Sequence, residues 1–348
     1  MAFAALGGKL YLMLRTISLL LISFLFRTSS CFAAPEPALG AAGQLGFVPA
    51  DISTAAIPAP ARVGADLTAD YLRIRNTPGQ GLGEKEITEL RKYKVLLVRG
   101  FLTGGYVEPF EVFGKKIWIG RYFNDQMEEL KALGVEFGMA DIDSVMLPEH
   151  NAAKLAKEIR SSEKPVILIS HSDGGMYVLQ ALIENPDLAP KVRGFISLQT
   201  PFRGSPVADY VKGNKTFSSA MKRLLGHFGG TIESLDSLTP LKREGYQDSN
   251  RGAIGGVVSG LNMISFASWK AEKHMKFDTL LELPRDFMLR RGLDNDGLVP
   301  VESAILPGSD YIKLEGVDHT VPVMSADMIL KFDRRAFTRT LLSMIISR

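Results

Sequence analysis

An apolar run leads to a serine, an aspartate and two glycines in "VILISHSDGGM", residues 166–176. A serine hydroxyl becomes a nucleophile when a base removes its proton and nearby donors stabilise the resulting oxyanion. A strand that runs directly into a helix presents such a serine on a tight turn, with the next backbone N–H directed at the developing charge. Gly174 and Gly175 allow the close approach that this turn requires, whereas Ser170 stands where glycine is usual. The stretch therefore predicts Ser172 as a nucleophile, with an ordinary serine-capped helix as the alternative.

An acid and a histidine follow this serine in one known chain order of nucleophile, acid and base. "RRGLDNDGLVPVES" supplies Asp294 and Asp296, and "LEGVDHTVPVM" places His319 just after a predicted strand. Of the five histidines, His319 alone lies in a loop behind a late strand, so we predict it as the base rather than a surface histidine. From the residues alone both aspartates stay open as the acid, because "DNDG" is also a good turn sequence. His171 is predicted to pack or to hydrogen-bond rather than to act as the base.

The loop "VRGFLTGGY" after an early apolar run is the candidate for a second oxyanion donor. Gly100 permits a close turn there, and the backbone N–H of Phe101 is available as the donor. The first donor is the backbone N–H of Asp173, the residue after the nucleophile. An ordinary glycine-rich loop is the alternative. Arg99 is expected to form a loop-stabilising ion pair rather than an anion clamp.

Short apolar runs alternate with amphipathic segments from about Lys92 onward, which is the pattern of an α/β protein. The predicted strands lie at 94–100, 135–142, 164–170, 192–201, 286–292 and 310–316. The predicted helices lie at 124–134, 149–162, 173–185 and 326–346. This alternation predicts a mostly parallel central sheet with helices on both faces. Each candidate residue falls at the carboxyl end of a strand, where such sheets bind their ligands.

The segment from about 206 to 283 interrupts the alternation and is predicted to be a helical lid or cap insertion over the site. Its sequence "TFSSAMKRLLGHF" places the apolar side chains on one helical face. These side chains are Phe217, Met221, Leu224, Leu225 and Phe228. Two interpretations stay open: a lid that a lipid surface opens, or a helix packed permanently on the core.

The N-terminus has the order of a secretory signal: a basic flank, an apolar run at 17–26 and small residues near Ala33. The apolar run is too short to span a bilayer comfortably, so a cleaved signal over 1–33 is predicted rather than an anchor. Residues 34–69 are rich in Ala, Pro and Gly and predict an extended linker, with a docking arm as the alternative. The α/β domain is predicted over 70–348. Export is expected, with both the periplasm and the medium open as destinations.

Composition narrows the function classes. The chain has 348 residues, of which 46% are hydrophobic, and this is enough for a large core. Its 41 Lys and Arg residues nearly balance 38 Asp and Glu residues, so we expect no nucleic-acid partner. The single cysteine excludes an intrachain disulfide, and the sequence has neither a Walker loop nor a zinc-type Cys/His cluster. We therefore predict no cofactor.

Four stretches together resemble the secreted bacterial true lipases of the α/β-hydrolase superfamily and related esterases. They are "VLLVRGFLTG", "VILISHSDGG", "ISLQTPFRGSPVADY" and "NDGLVPVES" with the later "VDHT", within about 94–323. In order, they are similar to the family's oxyanion loop, its G-H-S-x-G-G elbow, its T-P-H-R-G-S segment, and its N-D-G-L-V acid loop with the following histidine. The resemblance implies an α/β-hydrolase fold and an ester substrate.

The resemblance also implies a role for each matched residue. Carried over by position, Ser172, Asp296 and His319 are the nucleophile, the acid and the base. The N-D-G-L-V match selects this aspartate over the one two residues earlier. The backbone N–H groups of Phe101 and Asp173 would form the oxyanion hole.

The sequence departs from the family pattern in four places. Arg99 replaces the histidine of the H-G pair, and Ser170 replaces the first glycine of the elbow. Asp173 puts a carboxylate beside the nucleophile, where we expect it to repel anionic substrates. Many relatives carry a calcium-binding aspartate just after the histidine, but Thr320 and Val321 stand there. We therefore predict no structural calcium.

These expectations combine into an exported serine hydrolase that cleaves carboxylic esters through an acyl-enzyme, as lipases (triacylglycerol lipases among them) and esterases do. Its expected partners are an ester or lipid substrate and a lipid surface that the lid contacts transiently. Two rivals stay open: a hydrolase of another acyl compound, such as a polyester or phospholipid, and a non-catalytic binding protein of the same fold. The presence of all three triad residues favours catalysis over the second rival. A secretion chaperone, which some relatives need, leaves no signal in this sequence.

Overall fold

The structure is a computed structural model that describes most of the chain after residue 61. The described ranges are 62–77, 81–100, 110–112, 115–117, 122–143, 146–213, 232–271, 281–324 and 332–348. Arg62–Arg348 is one compact unit. The predicted signal and the helical segment at 217–228 lie outside the described ranges. Within those ranges, none of the helices is both long and apolar enough to cross a membrane.

A parallel sheet forms the centre of this unit. The described strands are β1 Lys94–Val98, β2 Phe110–Val112, β3 Lys115–Ile117, β4 Glu136–Met139, β5 Val166–His171, β6 Val192–Leu198, β7 Asn262–Trp269 and β8 Asp310–Glu315. Six of them lie side by side in the order β4, β1, β5, β6, β7, β8, and each neighbouring pair is parallel. β2 and β3 form a separate antiparallel pair. The predicted mostly parallel sheet is confirmed.

Helices cover both faces of this sheet. The described helices are α1 Thr68–Asn76, α2 Glu84–Leu90, α3 Asn124–Ala132, α4 Pro148–Ser161, α5 Gly174–Glu184, α6 Pro206–Gly213, α7 Ile232–Asp236, α8 Pro240–Ser249, α9 Arg251–Gly260, α10 Glu282–Leu289, α11 Val301–Ala304 and α12 Arg334–Ile346. Successive strand residues point to opposite faces, so Ile167 and Ile169 pack with α1, α2, α3 and α12. Val166 and Leu168 pack on the other face, with α4, α5 and α9. The predicted layers of helices are confirmed.

The predicted strand at 286–292 is wrong, because most of it belongs to the helix α10. Pro284 lies in the first turn of this helix, where the missing N–H of proline loses no bond. Arg285 and Met288 are both buried, and their spacing of three residues places them on one helical face. An apolar run of strand length therefore folds as a short amphipathic helix.

The strand β7 lies inside the range about 206–283 that the sequence assigns to the lid or cap insertion. Two buried serines interrupt its apolar pattern. Ser265 Oγ lies 2.7 Å from Ser309 Oγ, and Ser268 Oγ accepts a hydrogen bond from Gln199 Nε2 at 2.6 Å. Because these partners come from other segments, the sequence of the strand alone does not show that its serines are buried and hydrogen-bonded. The alternation of strands and helices thus resumes at β7 and not after residue 283.

The predicted linker over 34–69 is too long at its C-terminal end, because residues 62–69 belong to the folded unit. Leu67 is buried, and its N–H donates to the Tyr311 carbonyl at 2.8 Å. Tyr311 N–H in turn donates to the Ala65 carbonyl at 2.9 Å. These two bonds satisfy both backbone polar groups of Tyr311 at the outer edge of β8.

The closing helix α12 begins later than the predicted residue 326. Asp333 precedes it as the N-cap, and its carboxylate accepts from Ala336 N–H at 2.9 Å. Residues 325–331 lie outside the described ranges. The helix packs its inner face on β6 and β7 through the first of the two core layers.

Candidate active site

Ser172 lies on the sharp turn between β5 and α5. Its backbone is left-handed, with a φ of 55°, a conformation that costs a non-glycine residue roughly 1–3 kcal/mol. Its N–H donates to the Leu198 carbonyl of β6 at 2.9 Å, and Gly175 N–H donates to the Ser172 carbonyl at 3.2 Å. The turn thus holds the serine half-buried at the carboxyl edge of the sheet.

Three glycines let β1, β5 and α5 meet at this turn. A Cβ on Gly100 would lie 2.6 Å from Ser172 Cβ, and a Cβ on Gly175 would lie 2.0 Å from Thr200 Oγ1. A Cβ on Gly174 would lie 2.6 Å from two backbone oxygens at the end of β1. None of these positions has room for a methyl group. The close approach explains why two glycines follow the serine.

His319 stands between the Ser172 hydroxyl and a buried carboxylate. Its Nε2 lies 3.1 Å from Ser172 Oγ, and its Nδ1 lies 2.8 Å from Asp296 Oδ2. Because a carboxylate accepts hydrogen bonds, Nδ1 carries the proton and Nε2 presents its lone pair to the hydroxyl. The three side chains form one continuous hydrogen-bonded chain.

Asp296 is fixed by hydrogen bonds to the loop that follows α10 and to the backbone of His319. Its Oδ1 accepts from the N–H groups of Leu298 at 2.9 Å and Val299 at 2.7 Å. Its backbone carbonyl accepts from His319 N–H at 2.8 Å. Asp294, the other candidate for the acid, is exposed and stands outside this group of bonds. The structure therefore places the second aspartate of "DND", and not the first, against the histidine.

His171 is buried behind the serine. Its Nδ1 is hydrogen-bonded to the Tyr122 hydroxyl, and its Nε2 lies 2.8 Å from the His319 carbonyl and 3.1 Å from Gln199 Oε1. Burial, and then the charge of His319, hold the pKa of His171 well below its usual value. These contacts make His171 a hydrogen-bonding residue of the interior and leave the Ser172 hydroxyl to His319.

Gln199 belongs to the same buried group and was not singled out by the sequence analysis. It follows β6, has a φ of 52° and is fully buried. Its Nε2 donates to the Asp318 carbonyl at 3.0 Å and to Ser268 Oγ at 2.6 Å. The one available signal is its place, a polar residue directly after "VRGFISL", at the strand end where ligand-binding residues collect.

The carboxylate of Asp173 points into the protein. The residue is 4% exposed, and its Oδ2 accepts from the Tyr177 hydroxyl at 2.6 Å. Burial, followed by the Asp173 charge, raises the pKa of Tyr177 well above its usual value. The structure thus gives no support to the expected repulsion of anionic substrates, because this carboxylate is directed at the first turn of α5.

Two further departures from the family pattern are Arg99 and Ser170. Arg99 Nη2 donates to the Ile142 carbonyl at 2.9 Å, and within the described ranges Arg99 binds the neighbouring loop through this backbone oxygen and forms no ion pair of the expected kind. Ser170 is fully buried in β5, and its hydroxyl has no hydrogen-bond partner in the part of the chain that the structure describes. Nothing in the structure explains the choice of serine over glycine there.

Only one of the two predicted oxyanion donors lies within the described residues. Phe101 lies outside the described residues, whereas Asp173 stands at the N-terminus of α5, where the helix dipole favours negative charge. Asp318, the residue before the histidine, accepts through Oδ1 from the N–H groups of Thr320 at 2.9 Å and Val321 at 3.1 Å. Across the described ranges, no three His, Cys, Asp or Glu side chains gather as a metal site.

Comparison with known proteins finds relatives in structure. No protein-family model matches the sequence, and no curated protein matches it. The metagenomic carboxyl esterase MGS0156 superimposes with a TM-score of 0.63 at 18% identity, over 84% of this chain and 96% of its own. The Bacillus licheniformis lipase BlEst2, in its mature form, superimposes with a TM-score of 0.55 at 22% identity, over 73% of this chain and 93% of its own. These likenesses show that the chain has the α/β-hydrolase fold.

Proposed function

We propose that this protein is a carboxylic ester hydrolase of the lipase or esterase type. The observation that carries the proposal is the hydrogen-bonded chain from Ser172 through His319 to Asp296, built on a strained strand-to-helix turn. Solved structures of a carboxyl esterase and a lipase share the fold and support an ester as the substrate.

In the proposed reaction, Ser172 Oγ attacks the ester carbonyl while His319 Nε2 takes the hydroxyl proton. Asp296 holds the opposite ring nitrogen in its protonated form and stabilises the imidazolium that results. The tetrahedral intermediate then expels the alcohol, which receives the proton from Nε2. Water activated by the same nitrogen attacks the acyl-serine, and the carboxylic acid leaves.

The oxyanion of this reaction would form beside the start of α5. We assign its stabilisation to the backbone N–H groups of Asp173 and Phe101, the first of which lies at the N-terminus of that helix. Loss of one such donor typically lowers kcat by about 10²–10³. The Gly100 turn supports the assignment, because a side chain there would collide with Ser172.

Export and lipid contact are part of the same proposal and rest on the sequence. The signal over 1–33 predicts a mature chain that begins near Ala34, which the intact mass of the secreted protein would reveal. An uncleaved N-terminus would contradict it. The apolar face at 217–228 suits a lid that contacts a lipid surface.

A panel of p-nitrophenyl esters of increasing acyl length tests the proposed function. We expect turnover by the wild-type protein and a loss of about 10³-fold or more in kcat for Ser172→Ala. Ser170→Ala is the matched control, because it removes a buried serine hydroxyl two residues away that serves no described hydrogen bond. Unchanged turnover in Ser172→Ala would overturn the triad. A preference for long acyl chains would indicate a lipase, and a preference for short chains an esterase.

A further inference from the structure

Two buried side chains hold two consecutive backbone carbonyls of the loop that carries His319. His171 Nε2 lies 2.8 Å from the His319 carbonyl oxygen, and Gln199 Nε2 lies 3.0 Å from the Asp318 carbonyl oxygen. His171 is the last residue of β5, and Gln199 follows β6 directly. The loop after β8 is thus hydrogen-bonded to the carboxyl ends of two neighbouring strands, β5 and β6.

The acceptors in this group determine the direction of each bond. The Asp318 carbonyl only accepts, so the Gln199 nitrogen faces it and the Gln199 oxygen faces His171. His171 Nε2 then carries the proton, since both of its partners are acceptors. Its Nδ1 is left to accept from the Tyr122 hydroxyl. His171 is therefore the neutral Nε2–H tautomer, in agreement with its lowered pKa.

Gln199 makes these contacts at a cost to its own backbone. Its φ of 52° is a conformation that glycine adopts freely and most side chains resist. Both of its amide atoms are nevertheless used, the oxygen by His171 and the nitrogen by Ser268 and Asp318. A strained, fully satisfied and buried amide at the edge of the site indicates a use for the side chain that offsets the strain.

We infer that His171 and Gln199 are positioning residues for the base: they fix the main chain at His319 and so the place of its imidazole over Ser172. This inference rests on the proposed ester hydrolysis. Neither side chain hydrogen-bonds to Ser172 Oγ or to the His319 ring, although the His171 ring packs against the His319 ring with centroids 4.6 Å apart. The Tyr122 hydroxyl joins the group to the loop after β1, since it also accepts from the Gly100 N–H at 3.4 Å.

Asp296 alone does not supply this restraint. It binds the ring at Nδ1 and the loop at His319 N–H, both from the side of α10. His171 and Gln199 act from the sheet, and so they oppose a movement of the loop away from Ser172. A displacement of about 1 Å between reacting groups costs about 10²-fold in rate, which makes this restraint measurable.

Gln199→Gly tests the inference, because it removes the side chain and relieves the left-handed backbone at the same time. We expect kcat to fall about 10- to 100-fold and KM to change by less than about threefold, since the amide is fully buried. Ser265→Ala is the matched control. It removes a buried hydrogen bond of the same sheet to Ser309, and should lower the melting temperature and leave kcat unchanged. A wild-type kcat in Gln199→Gly would overturn the inference.

His171 gives a second test through two substitutions. His171→Gln keeps an N–H that can reach the His319 carbonyl, whereas His171→Leu fills the space without a donor. We expect at least about tenfold higher kcat in the glutamine variant, because it retains the bond that holds the loop. Equal kcat in the two folded variants would count against the role of that bond. If His171→Leu does not fold, the kcat of His171→Gln is compared with that of Gln199→Gly instead. A kcat of His171→Gln no higher than that of Gln199→Gly would also count against the role of the bond.

A readout that needs no turnover separates this inference from the proposed function. The His319 Nδ1 proton, bonded to Asp296, should give a downfield proton NMR resonance. We expect Gln199→Gly to shift or broaden this resonance and Ser265→Ala to leave it in place. If the wild-type protein cleaves no ester, the proposed function fails, and the resonance still decides the inference. An identical resonance in wild type and Gln199→Gly would overturn it.

Discussion

At the scale of single residues, the candidate site depends on which polar atoms are already engaged. Asp296 uses both carboxylate oxygens, Oδ2 for His319 Nδ1 and Oδ1 for the N–H groups of Leu298 and Val299. An amide in its place has one oxygen and one NH2 group, so it cannot accept at both ends. The shape of the loop and the tautomer of the histidine therefore depend on the same carboxylate.

Asp296→Asn should lower kcat about 10⁴-fold in a protein that still folds. The asparagine oxygen can keep the backbone bonds, but its NH2 group then faces His319 and favours the proton on Nε2, where the Ser172 proton must go. Asp294→Asn is the control, because that residue is exposed and should change kcat by less than about twofold. Steady-state kinetics on a p-nitrophenyl ester measures both. A comparable loss in the two variants would mean that both aspartates share the acid role.

At the scale of elements, the serine turn depends on how closely α5 approaches the end of β6. A Cβ on Gly175 would lie 2.0 Å from Thr200 Oγ1, and Thr200 is itself buried and bonded to Ser197 Oγ at 2.8 Å. Gly255 in α9 presents the opposite environment, since it is exposed and an added Cβ would meet no atom within 4 Å. The same substitution should therefore have opposite effects at the two positions.

Gly175→Ala should destabilise the protein by about 1–3 kcal/mol, because the added methyl group forces the turn apart. Its kcat should fall as well, since Ser172 moves with the turn. Gly255→Ala should stabilise the protein by about 0.5–1 kcal/mol, because alanine loses less backbone entropy in a helix than glycine does. Urea unfolding of the two variants gives both free energies. A change of the same sign in both would contradict the packing described for the turn.

The elements also differ in how well the sequence predicts them. The class of the sheet could be anticipated, because apolar runs of strand length alternate with amphipathic segments. The chain order of serine, acid and histidine pointed to Ser172, Asp296 and His319 as candidates, and the structure brings these side chains into hydrogen-bond distance. β7 was missed because Ser265 and Ser268 find their partners in other segments. The position of Gln199 after β6 was a signal, but its contact with the Asp318 carbonyl could not be foreseen, since that carbonyl is far away in the chain. Long-range satisfaction of buried polar groups leaves no local pattern.

At the scale of the whole molecule, one carboxylate joins the first and last described segments. Asp310 Oδ2 lies 2.8 Å from Arg62 Nη2 and 2.7 Å from Arg348 Nη2, and its Oδ1 accepts from Ala65 N–H at 2.8 Å. The Asp310 side chain is 5% exposed. Asp310 begins β8, whereas His319 follows the other end of that strand, so this junction is separate from the site.

Asp310→Asn should lower the free energy of unfolding by about 1–3 kcal/mol, because two partly exposed arginines lose a buried charged acceptor. Asp248→Asn is the control, since its ion pair with Arg251 is exposed on both sides and should contribute less than about 1 kcal/mol. Urea unfolding measures both, and kcat on a p-nitrophenyl ester should stay at the wild-type value in each. Equal losses of stability would contradict a special role for the junction. A fall in kcat for Asp310→Asn alone would show that the two ends of β8 are coupled, against the separation described here.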